Sequence, residues 1–148
     1  AFHREYKRQG NRLSRLFDGA ESTLRQLHAA GIRTGICSNK PNDLCRMLVR
    51  NMGIGGYIDE VVGSGDDMPK KPDPTQLMRV MEKLGVSPDD TLYVGDSVTD
   101  VLTARAASVP VMLVSYGYTL RAARQLGADA VIDSLSELVR PGPWRRSA

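Results

Sequence analysis

The chain has 148 residues, with 20 Lys+Arg against 17 Asp+Glu for a formal charge of +3, 41% apolar and 25% charged residues, and 2 Cys. That length fits one domain able to bury roughly 68–70% of its unfolded surface, and the composition excludes wholesale disorder and fibrous repeats. The longest apolar stretches reach about five residues, against the roughly 18 that cross a bilayer, and no charged n-region with an apolar h-region opens the chain. No membrane partner is expected, and the default compartment is cytoplasmic. Cys37 and Cys45 make neither a disulfide framework nor a zinc cluster, and both read as core or near-core residues. Lys and Arg are spread along the chain with tight clusters only at its two ends, so no nucleic-acid partner is expected.

The organisation repeats an amphipathic helix, a Gly stop and a short apolar strand. Asp18-Gly19 opens a helix with Leu24 and Leu27 at helical spacing, which Gly31 ends. A strand is expected over 32–37, stopping at Ser38-Asn39. Pro41 suits the first turn of the next helix, whose stripe is Leu44, Met47, Leu48 and Met52, up to Gly53. A short strand follows at 60–62. Asp73 is the expected N-cap of a third helix, with Pro74 next and Gln76 in capping-box register. Leu77, Val80, Met81 and Leu84 form its buried face, and Gly85 stops it.

The second half reads as a strand over 91–94 running into Gly95-Asp96, an Ala-rich helix over about 99–107, and a strand over 111–114. A helix near 120–126, a short strand at 130–132 and a last helix capped by Ser134 with Glu137 complete it. Residues 2–12 read as a polar helix remnant, and 141–148 as a frayed tail. Strands alternating with helices in this way specify an α/β fold with a doubly wound, mostly parallel sheet. Ligands of such sheets sit beyond the carboxyl ends of the strands.

Three strand exits carry residues suited to one phosphate site. Ser38-Asn39 offers a hydroxyl and backbone N–H groups at a strand-to-helix turn, which suit either a phosphate oxygen or a helix cap. Lys71, in Lys70-Lys71-Pro72-Asp73-Pro74, is presented rigidly ahead of two prolines and could neutralise a phosphoryl group or simply face solvent. Gly95-Asp96-Ser97-Val98-Thr99-Asp100 aims two carboxylates into one cleft, as Mg²⁺ prefers, or caps a helix with a first-turn acid.

Ser38-Asn39-Lys40-Pro41, Lys71-Pro72-Asp73-Pro74 and Gly95-Asp96-Ser97-Val98-Thr99-Asp100 resemble motifs II, III and IV of the haloacid-dehalogenase-like superfamily. Gly65-Asp66-Asp67, Tyr116-Gly117-Tyr118 and Asp129-Ala130-Val131-Ile132-Asp133-Ser134 are similar to its phosphoglycolate phosphatase subgroup, and the likeness runs over 16–138. The resemblance implies a Mg²⁺-dependent phosphatase of a small phosphorylated metabolite. An Asp nucleophile would take the phosphoryl group, and a second Asp two residues later would act as acid and base. It implies that Ser38 and Asn39 bind phosphate, that Lys71 neutralises nucleophile and phosphate, and that Asp96 ligates Mg²⁺. Asp100 would be a second residue at the metal, or a nearby acid orienting Lys71 or a metal-bound water. One departure is Ser108, where the family often has Gly.

The superfamily's first motif, Asp-x-Asp-Gly-Thr, is not found, and no Asp-x-Asp occurs in the 148 residues. Phe17-Asp18-Gly19-Ala20 is no substitute, because Asn11-Arg12-Leu13-Ser14-Arg15 is not a buried strand. The resemblance implies that the missing strand is the central one, between those of Ser38 and Asp96, and that a substrate-selecting cap precedes it. Residues 1–14 are then expected to be the trailing end of that cap, 15–140 an incomplete core domain and 141–148 a flexible tail. The chain is expected to be incomplete and inactive by itself.

The rival reading is a non-catalytic phosphate-binding or interaction module that has shed its nucleophile. A dinucleotide-binding domain is disfavoured because no G-x-G-x-x-G follows a strand, and no Walker P-loop occurs. Cys-x5-Arg phosphatase chemistry is disfavoured because Asp43 and Asn51 stand six residues after Cys37 and Cys45. His3 and His28 have no ligand-spaced partner and read as surface residues.

Overall fold

The computed structural model describes residues 19–116 and 123–139. The expected cap remnant, the Asp18 turn, Gly117-Tyr118 and the tail lie outside the described residues. Helices α1 (Ala20–Ala29), α2 (Asn42–Asn51), α3 (Thr75–Leu84) and α4 (Val98–Ala106) alternate with strands β1 (Gly35–Pro41), β2 (Glu60–Ser64), β3 (Tyr93–Gly95), β4 (Val111–Val114) and β5 (Ala130–Ile132). Among the described residues these strands pair in parallel, β1 with β2 and β3–β4–β5 in that order. The fold is therefore the expected Rossmann-like α/β one. Among the described residues β1 and β3 each pair on one side only, so the sheet is split between them.

Helix α3 straps the two halves together. Its Leu77 and Met81 pack in one cluster with Tyr93, Val111 and Leu113, whereas its Val80 and Leu84 pack against Val62 of β2. Cys37 of β1 touches both clusters. All four residues of β4 are buried, as a central parallel strand covered on both faces requires. Met112 and Val114 face the opposite layer with Ile132, Leu135 and Leu138. Arg105 on α4 binds the Asp129 carboxylate with two 3.0 Å bonds, and that carboxylate also accepts the Val111 N–H, which ties β5 to the start of β4.

Several elements differ from their expected bounds. Strand β1 begins three residues later than expected, because Thr34 N–H is taken by Asp59 and Arg33 reaches the Leu84 carbonyl. It then continues through Ser38 and Asn39 to Pro41, which precedes α2 and is not in its first turn. Strand β3 loses its first two residues to the turn at 88–90, where Thr91 N–H and hydroxyl bond back to Pro88 and Ser87. The N-cap of α3 is Pro74 and not the expected Asp73, which stands one residue further out and accepts the Thr75 N–H at 2.8 Å. Gln76 is no capping-box partner and turns fully inward. Of the helix expected near 120–126, residues 120–122 lie outside the described residues, and Ala123–Gln125 form a 3₁₀ turn. The last helix is also 3₁₀, Leu135–Val139, with Glu137 bonding back to the backbone of Asp133 and Ser134.

Gly31 and Gly85 take left-handed backbone at the helix ends, as expected. Ser108 follows α4 with φ of 60°, and it is the one non-glycine residue with positive φ among those described. A side chain there is strained by about 1 kcal/mol. Ser108→Gly is expected to raise the thermal midpoint by about 2–4 °C. An unchanged or lower midpoint in a melting curve would show that the serine makes a compensating interaction.

Candidate active site

The carboxyl ends of β1 and β3, with the loop before α3, surround an open cleft of about 300 Å³. Lys71, Asp96 and Asp100 line it together with Cys37, Tyr93 and Tyr116. Residues from three separate strand exits are thus brought to one place. Ser38 stands next in sequence to the cleft residue Cys37, and its hydroxyl accepts the Lys40 N–H at 3.1 Å. Asn39 is held against Lys71, its side-chain amide bonded to the Lys71 backbone.

Lys71 reaches the cleft from the loop that precedes α3. Its Nζ donates to Asp100 Oδ1 at 2.8 Å and to the Tyr93 hydroxyl at 2.9 Å, and it lies 5.7 Å from the centre of the Tyr93 ring. The Tyr93 hydroxyl in turn donates to Asp100 Oδ1 at 2.8 Å. The pair is nearly dry, with side chains 13% and 7% exposed for Lys71 and Asp100. Charges this buried are tolerable only when paired and hydrogen-bonded.

Asp100 meets that requirement on both oxygens. Its Oδ2 accepts Asp96 N–H at 2.9 Å, Ser97 N–H at 3.2 Å and the Ser97 hydroxyl at 3.1 Å. Ser97 caps α4 by accepting Asp100 N–H, so the capping-box reading and the site reading are both realised in one residue. With five donors on one carboxylate, the Lys71 ammonium among them, no lone pair remains directed at a metal ion. The arrangement supports Asp100 as the residue that orients Lys71, in place of a metal ligand. Gly95 makes this possible, since a Cβ there would lie 2.5 Å from Asp100 Oδ2.

The electrostatics follow from burial and partners. Burial pushes the Asp100 carboxyl up, but the hydrogen bonds from Lys71 and Asp96 N–H outweigh it and hold the group below the usual carboxylate range. Burial, reinforced by the Asp100 charge, pushes the Tyr93 phenol far up, so it remains a neutral donor. Burial likewise pushes the Cys37 thiol up to about 11, which removes it as a nucleophile at neutral pH.

Among the described residues no group of three or more His, Cys, Asp or Glu is placed to hold a metal. The carboxylate left on the cleft wall is Asp96. One hard carboxylate suits Mg²⁺, which commonly takes one or two protein oxygens and completes its shell with water and phosphate. Tyr93 and Gln76 support the site without having been expected there, Gln76 only as a helix cap. For Tyr93 a signal existed, a hydroxyl on an otherwise apolar strand that needs a buried partner.

The pair also makes a prediction about acid stability. Asp100 is more acidic folded than unfolded, so its contribution is complete above about pH 4 and is lost as pH falls further. Asp100→Asn should be less stable at pH 7 but show a flatter loss of stability below pH 4 in acid unfolding followed by circular dichroism. An unaltered slope would contradict the assignment.

Comparison with known proteins was consistent in one direction. Residues 1–114 match the haloacid dehalogenase-like hydrolase family. Phosphoglycolate phosphatase of Rhodospirillum rubrum is 44% identical over 129 residues, 87% of this chain and 52% of the relative. The plasmid-borne phosphoglycolate phosphatase of Cupriavidus necator is 39% identical over 138 residues, 93% of this chain and 60% of the relative. Among solved structures, a predicted phosphoglycolate phosphatase from Haemophilus somnus superposes with a TM-score of 0.85 at 29% identity, over 93% of this chain and 61% of its own. A HAD phosphatase from Thermococcus onnurineus gives 0.79 at 27%, over 93% and 62%. The chain spans little more than half the length of the relatives it matches. With the matched segment, the parallel fold and the clustered strand exits in agreement, the chain belongs to the haloacid dehalogenase-like hydrolases.

Proposed function

We propose that this chain supplies the phosphate-handling part of a Mg²⁺-dependent phosphatase that hydrolyses a small phosphate monoester, in the cytosol. Phosphoglycolate is the substrate suggested by the relatives' names. The observation that carries the reading is the buried Lys71 ammonium, fixed by Asp100 and Tyr93 on the wall of the cleft that Asp96 shares.

In this reading Lys71 neutralises the phosphoryl oxygens and Ser38 donates its hydroxyl to one of them. Asp100 holds the ammonium in place, and Asp96 would hold Mg²⁺. Bound there, the ion supplies positive charge that stabilises the developing negative charge on the phosphoryl group. The 148 residues contain no Asp-x-Asp, so a covalent aspartyl-phosphate route needs a nucleophile from outside them. The same feature favours a second reading, a module that binds phosphate without turning it over.

Two measurements separate these readings. The chain by itself should show no Mg²⁺-dependent hydrolysis of p-nitrophenyl phosphate that Asp96→Ala abolishes, and robust Asp96-dependent turnover would refute the need for an outside nucleophile. Joined to an upstream strand carrying Asp-x-Asp, it should become a Mg²⁺-dependent phosphatase whose rate falls at least about tenfold in Lys71→Met. A well-folded joined protein without activity would favour the binding module.

A further inference from the structure

Two side-chain amides stand behind Lys71 in a pattern that the proposed phosphate chemistry does not use. Asn39 Oδ1 accepts the Lys71 backbone N–H at 2.6 Å, while Asn39 Nδ2 donates to the Lys71 carbonyl at 3.1 Å. One side chain thus brackets both polar groups of one residue, as a neighbouring strand would. Gln76, with no exposed surface, donates from Nε2 to the same Asn39 oxygen and to the Pro69 carbonyl, each at 3.2 Å. Its Oε1 accepts the Cys37 thiol at 3.4 Å.

The orientation of both amides is fixed by groups that cannot reverse their role. The Pro69 carbonyl only accepts, so it takes the nitrogen end of Gln76. The Lys71 N–H only donates, so it takes the oxygen end of Asn39. We propose that Asn39 is a positioning residue that sets where the Lys71 ammonium sits, and that Gln76 holds Asn39 in the one orientation that does so. This gives the Asn39 side chain a role separate from the phosphate contact expected of the Ser38-Asn39 turn. It rests on the proposed function only in naming the phosphoryl group as what the placed ammonium serves.

The relay can be tested on the 148-residue chain by NMR, without turnover. Asn39→Ala should make the Lys71 amide exchange about tenfold faster, as loss of one buried hydrogen bond implies. The amides of β4 should keep their protection. The Lys71 ammonium proton signal, visible while Asp100 and Tyr93 hold it, should broaden in the same variant. Gln76→Met keeps the buried volume and should produce both changes to a lesser degree. Unchanged Lys71 signals in Asn39→Ala would overturn the proposal, as would exchange that speeds equally across β4, because the effect would then be general loosening. Orthophosphate affinity should fall in parallel with the ammonium signal. If the unaltered chain binds no orthophosphate, the functional reading fails, and the two Lys71 signals still decide the relay.

Discussion

The site depends on one buried ion pair. An ammonium and a carboxylate withdrawn from water are costly unless every remaining donor and lone pair is matched, and removing one partner of such a pair commonly costs about 3–5 kcal/mol. Here the match is made by residues of several origins: Tyr93 from β3, Ser97 and the Asp96 N–H from the turn into α4, and Asn39 from the end of β1 acting on the Lys71 backbone. Asn39, Asp96 and Ser97 lie at the carboxyl end of a parallel strand or in the turn that leaves it, whereas Tyr93 opens β3. The pair therefore joins the two parts of the split sheet at the rim, as α3 joins them beneath.

That arrangement explains why the two acids four residues apart have different work. Asp100 is turned into the protein by the helix cap and saturated there, whereas Asp96 remains on the cleft wall. A chain that used both carboxylates for a cation would leave Lys71 without its counter-charge. The geometry commits the Asp100 carboxylate to the lysine and leaves the Asp96 residue on the cleft wall, a difference that spacing by itself does not specify.

Much of this was legible in the sequence because it is carried by short-range chemistry. The Gly stops, the buried face of α3 and the apolar β4 follow from periodicity and backbone preference. The gathering of Lys71, Asp96 and Asp100 follows from the strand-end rule. What was not legible depends on long-range pairing. Gln76 fits a local capping pattern, but it is taken inward by Asn39 and the Pro69 carbonyl, partners 37 and 7 residues away. The expectation for Asn39 concerned its place at the turn after β1, and its side-chain amide is bonded to the Lys71 backbone, 32 residues on. The bounds of β1 and β3 moved because turns at 32–34 and 88–91 take up backbone groups that propensity would have given to strands. Ser108 is the converse case, a departure from the glycine of the family at a place where the backbone takes a φ of 60°.

The central claim is that Lys71 and Asp100 act as one buried unit. A double-mutant cycle with Lys71→Met and Asp100→Asn, read by urea unfolding near pH 7, measures it most directly. A coupling energy above about 1.5 kcal/mol is predicted, beyond the 0.2–1 kcal/mol typical of exposed pairs. A value within about 0.5 kcal/mol of zero would contradict the account, since the two charges would then be solvated independently.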